Sequence, residues 1–262
     1  MKRELNNKNN INKITLTNIL SNILLQGIAF FSTPIFSRML DTEQYGLYSV
    51  FNSWVVIMTC ILGFGTGSTI GTGMYEFKKD YFRFRSGVLL FGTVLSFGTI
   101  CLIVLFSPLI SISLGYSFEV IVILLFTAFA HYVVSFFQNT CVYEKKATKN
   151  LIVSVTLSLT TVILSMYLIQ KNSFEEEYLG RVYGTAIPYI LIACIVWIKL
   201  YFKEKAGLHK QYCTFAITVG FPVVFHSLAR NILGQSDRVM MQMMNISNSE
   251  IGIYSLFYTF YW

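Results

Sequence analysis

The sequence predicts an all-α, polytopic membrane protein, with one six-helix transmembrane lobe followed by the first one to two helices of a parallel-repeat second lobe. Three observations support this fold class. The chain is 54% hydrophobic and only 13% charged, whereas an average globular domain has about 25% charged residues. Its apolar residues form long runs with basic clusters between them, and a six-residue motif returns near the end of the chain.

Seven apolar segments are close to or above the roughly 20 residues that span a bilayer core as an α-helix. They lie near residues 14–36, 47–72, 87–112, 118–142, 151–169, 184–202 and 214–234. An eighth starts at residue 251 and holds twelve residues, which is about 18 Å of helix against a hydrocarbon core of about 30 Å. We therefore predict seven full spans and an eighth helix that is cut short.

The segment at residues 151–169 needs its own argument, because its polar residues alternate as they would in a strand. The alternating residues are Ser154, Thr156, Ser158 and Thr160. An open strand in lipid would leave its backbone groups unpaired, so a helix is predicted here too. One face of that helix would carry Ser154, Ser158, Thr161 and Ser165.

The basic residues predict the orientation of the chain, since short cytoplasmic loops are rich in lysine and arginine. Fifteen of the twenty basic residues lie in the N-terminal tail or in and beside the second, fourth and sixth loops. We therefore predict a cytoplasmic tail over residues 1–13, a six-helix lobe over residues 14–205 and the start of a second lobe over residues 206–262.

The repeated motif is Gly46-Leu47-Tyr48-Ser49-Val50-Phe51, which returns as Gly252-Ile253-Tyr254-Ser255-Leu256-Phe257. Each copy begins an apolar segment, and six predicted helices make up one unit. Because six is an even number, both copies run through the membrane in the same direction. The units are therefore predicted to be parallel repeats, related by an axis along the membrane normal.

The same composition argues against several classes of function. The net charge of +7 comes from short clusters and not from a basic face, so no nucleic-acid partner is expected. The five cysteines form no C-x-x-C pair and have no histidine at ligand spacing, so no metal or cofactor is expected. The loops are too short for a catalytic domain, so the chain is not expected to be an enzyme. The glycine-rich stretch 63–73 lacks G-x-G-x-x-G spacing and predicts close helix packing or a flexible helix end.

Three of the apolar segments carry polar residues at helical spacing. The first has Thr15, Asn18, Asn22, Gln26 and Thr33 on one stripe, the second has Asn52, Thr59 and Thr66, and the fourth has His131, Ser135 and Gln138. These residues either form hydrogen bonds between helices, at about 0.6 kcal/mol each, or line a water-filled cavity. The amides of the first segment favour the cavity, because amides facing lipid would be costly.

The seventh segment carries two ionisable residues within the membrane. His226 lies near its middle, and Arg230 follows one turn later on the same face. An ionisable side chain at the bilayer centre costs from about 3 to more than 10 kcal/mol, so both are candidate functional residues. Two other interpretations stay open: Arg230 would reach the headgroups or pair with Asp237, and His226 would be a neutral packing residue.

Two stretches resemble the bacterial polysaccharide flippases, which are lipid-linked oligosaccharide exporters related to the multidrug and toxin extrusion transporters. The first, TPIFSRMLDTEQYGLYS at residues 33–49, is similar to the junction of that family's first two helices. The second is similar to the family's seventh helix and the loop after it, and runs from Phe221-Pro222 through Ser236-Asp237-Arg238 to Gly252-Ile253-Tyr254-Ser255. The resemblance implies two six-helix lobes around a central cavity, of which this chain would supply one lobe and the beginning of the next, as a truncated reading frame or a fragment.

The resemblance also implies a function. It is the translocation of polyprenyl-diphosphate-linked oligosaccharide units across the bacterial cytoplasmic membrane, through rocking of the two lobes. The implied partners are the lipid-linked oligosaccharide, membrane lipids and the polysaccharide polymerase machinery.

The residues expected to contact the substrate are Arg230, His226, Asn18, Asn22, Gln26, Arg38, Asn52 and Arg238. The pair in the seventh segment would meet the diphosphate, because an arginine fork pairs two oxygens at once. The amides of the first segment would face the glycan, and the other two arginines would guard the outer mouth of the cavity.

Three alternatives remain. A cation-coupled drug exporter of the same superfamily should carry an acidic residue well inside a lobe, whereas Glu119 lies at the edge of a segment. A peptidoglycan-precursor flippase would have much the same sequence features. The third alternative is an inactive membrane fragment.

Overall fold

A computed structural model of the chain describes residues 2–106, 116–171, 174–204 and 207–261. Over these residues the protein is all-helical, as predicted. The α-helices are α1 (Lys2–Met39), α2 (Thr42–Gly63), α3 (Thr69–Glu76), α4 (Tyr81–Leu105), α5 (Phe118–Tyr143), α6 (Ala147–Gln170), α7 (Glu177–Glu204), α8 (Lys210–Met243) and α9 (Asn248–Tyr261). A short 3-10 turn, Thr66–Ser68, joins α2 to α3.

The helix lengths confirm a polytopic membrane protein. Among the described helices, α2 and α4 to α8 are each long and apolar enough to cross a membrane, and α1 contributes a shorter apolar stretch, Ile23–Met39. Some boundaries differ from those predicted. The helix α1 begins at Lys2, so most of the predicted tail is helical, and α8 continues to Met243, well past residue 234.

The second predicted span is present as α2, but its predicted end at residue 72 is wrong, because α2 ends at Gly63. Phe64 and Gly65 adopt left-handed conformations, with φ of 45° and 65°. Gly65 lies so close to α8 that a Cβ atom there would collide with the carbonyl oxygen of Gly220. The helix therefore ends where the chain approaches the backbone of α8. Glycine suits this position because it accepts a positive φ and has no Cβ atom to collide with Gly220.

Three clusters of buried apolar side chains hold the described helices together, and two of them are large. One includes Phe51 of α2 and Ile251 of α9, together with the first half of α5. The other includes Phe84 of α4, Phe136 of α5 and the beginning of α8. One of these two clusters therefore packs α9 against earlier helices, and the other packs α8 against earlier helices.

Polar contacts fix both ends of α5. Arg85 of α4 forms a buried ion pair with Glu144, which follows α5, and Lys146 binds the same carboxylate. At the other end, the Tyr116 hydroxyl donates a hydrogen bond to the Leu47 carbonyl oxygen at 3.1 Å. Burial raises the pKa of this phenol, so it keeps the proton that it donates.

The two copies of the repeated motif pack against each other, where α2 crosses α9. A Cβ atom on Gly46 would collide with the carbonyl oxygen of Asn248 and lie 3.0 Å from the backbone nitrogen of Gly252. A Cβ atom on Gly252 would collide with the carbonyl oxygen of Thr42 and lie 3.1 Å from the nitrogen of Gly46. The contact of Gly46 with residues 248 and 252 thus corresponds to the contact of Gly252 with residues 42 and 46. This reciprocal pattern is what a two-fold axis between the helices requires.

A side-chain contact shows that these two helices run in the same direction. The Thr42 and Ser249 hydroxyls are 2.7 Å apart, and both residues lie close to the start of their helices. In an antiparallel pair centred on the glycines, these residues would be separated by about seven residues, or about 10 Å, along the axis. The repeat is therefore parallel, as the motif predicted.

The helix α8 packs antiparallel to α2 along a surface that we call the seam. Near one end, the Ser53 hydroxyl donates to Gln235 Oε1 at 2.9 Å. Further along, Asn231 Nδ2 donates to Cys60 Sγ, also at 2.9 Å. Residue numbers rise along α2 and fall along α8, and the seam continues to the close backbone contact at Gly65.

Candidate functional site

Two polar cavities lie along the seam, one after the other. We call the first the Arg230 cavity. It has a volume of about 410 Å³ and is bounded by the second half of α2, the 3-10 turn, α5 and α8. Its polar lining residues are Thr59, Cys60, Ser68, His131, Tyr132, Ser135, Asn139, Ser227, Arg230 and Asn231. No aspartate or glutamate is among the described lining residues, so Arg230 gives the cavity a positive charge.

Hydrogen bonds and ring contacts position the walls of the Arg230 cavity. Asn231 Nδ2 is held between Cys60 Sγ and the Ser227 carbonyl oxygen, at 2.9 Å from each. On the opposite wall, His131 stacks on Tyr189 of α7 with 3.6 Å between ring centroids. The lining amide and imidazole are therefore ordered by their neighbours, which favours a defined arrangement of polar groups around the cation.

His226 does not share this cavity with Arg230. The residues of α8 that line it are Val223, Val224, Ser227, Arg230 and Asn231. Arg230 lies at the edge of that stripe, and a residue four positions earlier falls about 40° further round the helix. His226 is therefore exposed on the outside of α8, away from the cavity lining.

The second cavity lies along the same seam, toward the end at which α2 begins, and we call it the Arg181 cavity. Its volume is about 380 Å³. Helices α1, α2, α7, α8 and α9 contribute its lining, which is Ser32, Thr33, Tyr45, Tyr48, Ser49, Asn52, Ser53, Arg181, Gln235, Arg238, Ser255 and Tyr258. The described lining contains two arginines and no carboxylate.

Arg238 lines this cavity from α8, although it lies beyond the predicted span at residues 214–234. The residue is only 8% exposed. Its Nε donates to Ser255 Oγ at 3.0 Å and its Nη1 donates to Gln235 Oε1 at 3.2 Å. The guanidinium carbon also lies 4.6 Å from the ring centroid of Tyr258. These contacts explain why α8 continues as a helix through the polar residues after position 234.

The sequence analysis did not identify Arg181, which precedes the predicted span at residues 184–202. The residue lies in the first turns of α7, and its guanidinium carbon is 4.0 Å from the ring centroid of Phe36, 4.1 Å from that of Tyr48 and 5.3 Å from that of Tyr45. These rings belong to α1 and α2, far away in the chain. The available signal was an arginine directly before an apolar segment, which also fits a residue facing the headgroups.

The other predicted site residues divide into three groups. Asn52 lines the Arg181 cavity. Gln26 and Arg38 are exposed on α1 and line neither cavity. The side chains of Asn18 and Asn22 lie outside the described residues.

Both interpretations of the polar stripes hold, each for different residues. His131, Ser135 and Thr59 line the Arg230 cavity. Gln138 instead donates to Ser154 of α6 at 2.9 Å, and Thr66 lies 2.9 Å from the Tyr132 hydroxyl. Polar groups in this bundle therefore both connect helices and face open volume.

The lining residues indicate the chemistry that the two cavities can support. Guanidinium groups pair with anionic oxygens, and the surrounding amides and hydroxyls hydrogen-bond to polar ligands such as sugars. In the part of the chain that the structure describes, no group of three or more His, Cys, Asp or Glu residues is placed to hold a metal ion. The lining groups are therefore of the kinds that can pair with the anionic oxygens and hydroxyls of a ligand.

Comparisons with known proteins agree with the fold. A crystal structure of a MATE protein in complex with Br-NRF is similar, with a TM-score of 0.64 at 15% sequence identity. The similarity covers 95% of this chain but 64% of the MATE chain, so this chain spans less than two thirds of that protein's length. No match was found among curated proteins. The family described as polysaccharide biosynthesis protein matches residues 11–262, and this chain therefore belongs to that family.

Proposed function

We propose that this chain translocates polyprenyl-diphosphate-linked oligosaccharide units across the bacterial cytoplasmic membrane, for the synthesis of cell-surface polysaccharide. The observation that carries the proposal is the Arg230 cavity. It places a cation beside ordered amides and hydroxyls, between helices long enough to span a membrane. Membership of a polysaccharide biosynthesis family supports the substrate class.

The physical problem of such a substrate is its head group. A charged diphosphate with a hydrated glycan would cost tens of kcal/mol to move through bare hydrocarbon. A cavity with a guanidinium lowers this barrier, because the planar fork pairs with two phosphate oxygens at once. Ser135, Asn139 and Ser227 line the same cavity and supply partners for sugar hydroxyls.

The acidic residues argue against a cation-coupled drug exporter. Glu144 is occupied by two basic partners, and Asp237 accepts a hydrogen bond of 2.6 Å from the Tyr254 hydroxyl. Glu119 lies in the first turn of α5. None of the three lines either cavity on the seam, where a coupling cation would have to bind.

The test is complementation of a bacterial strain that lacks its polysaccharide flippase, with surface glycan as the readout. We expect the gene that encodes this chain to restore the glycan. We expect Arg230→Met to reduce it by about tenfold or more at equal membrane levels, because a hydrogen bond to a charged group contributes about 1.5–3 kcal/mol. Arg230→Lys should retain part of the activity, since it keeps the charge but loses the fork.

Lys171 provides the matched control, because it is an exposed cation just after α6 and lines neither cavity. Lys171→Met should export glycan like the unaltered protein. Full export by Arg230→Met would contradict the proposal. Rescue of a strain that lacks its peptidoglycan-precursor flippase, without rescue of the polysaccharide strain, would favour the alternative substrate.

A further inference from the structure

We propose that the Arg181 cavity is a second anion-binding site, separate from the Arg230 cavity, and that it binds a phosphate-type oxyanion between Arg181 and Arg238. The binding of an oxyanion stands on the geometry of this cavity alone. Identifying that oxyanion as the diphosphate of a lipid-linked glycan rests on the function proposed above.

The first observation is an unused donor. Arg181 Nη1 is buried and has no hydrogen-bond partner among the described residues. Phe36 and Tyr48 lie about 4 Å from the guanidinium carbon and interact with its charge through their ring faces. Ring contacts of this kind do not replace a hydrogen-bond acceptor, and a buried unpaired donor is costly. An acceptor that binds from the cavity would remove that cost.

The second observation is the balance of charge. Arg181 and Arg238 line one cavity, and the described lining contains no aspartate or glutamate. Asp237, which directly precedes Arg238 in the chain, accepts a hydrogen bond from the Tyr254 hydroxyl. Two cations that line one cavity repel each other, and a dianion bound between them would be attracted by both.

The third observation is that the cavity lies between the two repeat units. Arg181 is on α7, in the first unit, whereas Arg238 is on α8, in the second. Arg238 is already fixed by Gln235 and Ser255, so its position is set before a ligand arrives. An oxyanion that contacts both arginines would therefore tie one unit to the other at this end of the seam.

The place of the cavity along α2 suggests how the two sites work together. The Arg181 cavity is lined by α2 residues up to Ser53, and the Arg230 cavity by α2 residues from Val56 onward. Their centres on α2 are thus separated by about two to three turns, or on the order of 10 to 15 Å. An anion that leaves Arg230 and moves along the seam toward the start of α2 would therefore reach Arg181 and Arg238 before the end of the bundle.

The test is binding of inorganic pyrophosphate to the full chain purified in detergent, measured by titration calorimetry. The Arg230→Met background isolates the second site. We expect this protein to retain one pyrophosphate site, and we expect Arg181→Met or Arg238→Met in the same background to weaken binding by about tenfold or more. Lys171→Met in the same background is the control and should bind like Arg230→Met alone.

A conservative variant covers the risk that removal of a buried cation disturbs folding. Arg181→Lys keeps a cation against the aromatic rings but lacks the fork, and it too should weaken pyrophosphate binding while the gel-filtration profile stays unchanged. Unchanged affinity in Arg181→Lys and Arg238→Met would overturn the proposal. Complete loss of pyrophosphate binding in Arg230→Met alone would also overturn it, because only one site would then exist.

The source of the oxyanion is tested in lipid nanodiscs. If phosphatidylglycerol competes with pyrophosphate and phosphatidylcholine does not, the second site exists and accepts ordinary phospholipid head groups. If neither lipid competes, the second site exists and selects the diphosphate. These binding measurements do not depend on export, so a chain that binds pyrophosphate here but fails the complementation test would retain the site and lose only the proposed function.

Discussion

Gly46 and Gly252 lie face to face where α2 crosses α9, so closely that a Cβ atom on either would meet the backbone of the other helix. These glycines occupy equivalent places in the repeated motif. Small residues are the means by which helices approach closely in membranes, since lipid supplies little drive for their association. The repeated motif therefore has a structural role, because its first residue, a glycine in both copies, makes the contact between the repeat units.

A methyl group at this crossing should destabilise the protein. We expect Gly46→Ala and Gly252→Ala each to lower the thermal unfolding temperature in detergent, because overpacking costs about 1–3 kcal/mol and the facing carbonyls belong to rigid helices. Gly98→Ala on α4 is the control, since no atom lies within 4 Å of a Cβ built there. It should melt at or above the temperature of the unaltered protein, because alanine favours a helix over glycine by about 1 kcal/mol. Equal melting of Gly46→Ala and Gly98→Ala would show that the crossing is looser than described.

The ion pair at the end of α5 allows a comparison between a buried and an exposed contact to one carboxylate. The side chains of Arg85 and Glu144 are 7% and 9% exposed, whereas that of Lys146 is 43% exposed. Arg85→Met should cost about 3–5 kcal/mol of stability, because it leaves a buried carboxylate without its main partner. Lys146→Met should cost about 0–1 kcal/mol.

The readout for this pair is the unfolding temperature in detergent. The double variant Arg85→Met/Glu144→Met should be more stable than Arg85→Met, because no unpaired charge remains. A double variant that is no better than Arg85→Met would mean that packing around Arg85, and not its charge, is what matters.

The contact between Asn231 and Cys60 offers a way to link α2 covalently to α8. The two side chains are 2.9 Å apart, so Asn231→Cys places a second thiol beside Cys60. Mild oxidation should join α2 to α8 through a disulfide, which mass spectrometry would detect. If transport requires the repeat units to move relative to each other, export in the complementation strain should stop on oxidation and return on reduction.

The control for this cross-link is Cys60→Ser/Asn231→Cys, which cannot form that disulfide. Export by this variant should be insensitive to the oxidant. Normal export by the cross-linked protein would show that α2 and α8 remain together throughout the transport cycle.

Much of the fold follows from local patterns in the sequence. The long apolar runs predict the spans, and the returning motif predicts the parallel repeat, because hydropathy and chain direction are properties of neighbouring residues. The end of α2 could not be predicted in this way. It depends on the approach of Gly65 to Gly220, a residue more than a hundred positions away.

The candidate site was predicted only in part, for the same reason. Ionisable residues within an apolar run can be recognised from the sequence. That argument selected Arg230, which lines a cavity, and also His226, which does not. Arg238 and Arg181 lie outside the predicted spans, and their surroundings could not be predicted because their partners come from other helices: Ser255 for one and the ring of Phe36 for the other. Burial of a cation is decided by residues that only the folded chain brings together.

The close glycine contacts at the two ends of α2 have a mechanical consequence. Gly46 touches α9 near one end, Gly65 touches α8 near the other, and about 28 Å of chain lies between them at 1.5 Å per residue. At both contacts a glycine brings the backbone of one helix against the backbone of another. If transport moves the repeat units apart, we expect the helices to separate at one of these contacts while the other is kept, so that the cavities on the seam open toward one end only.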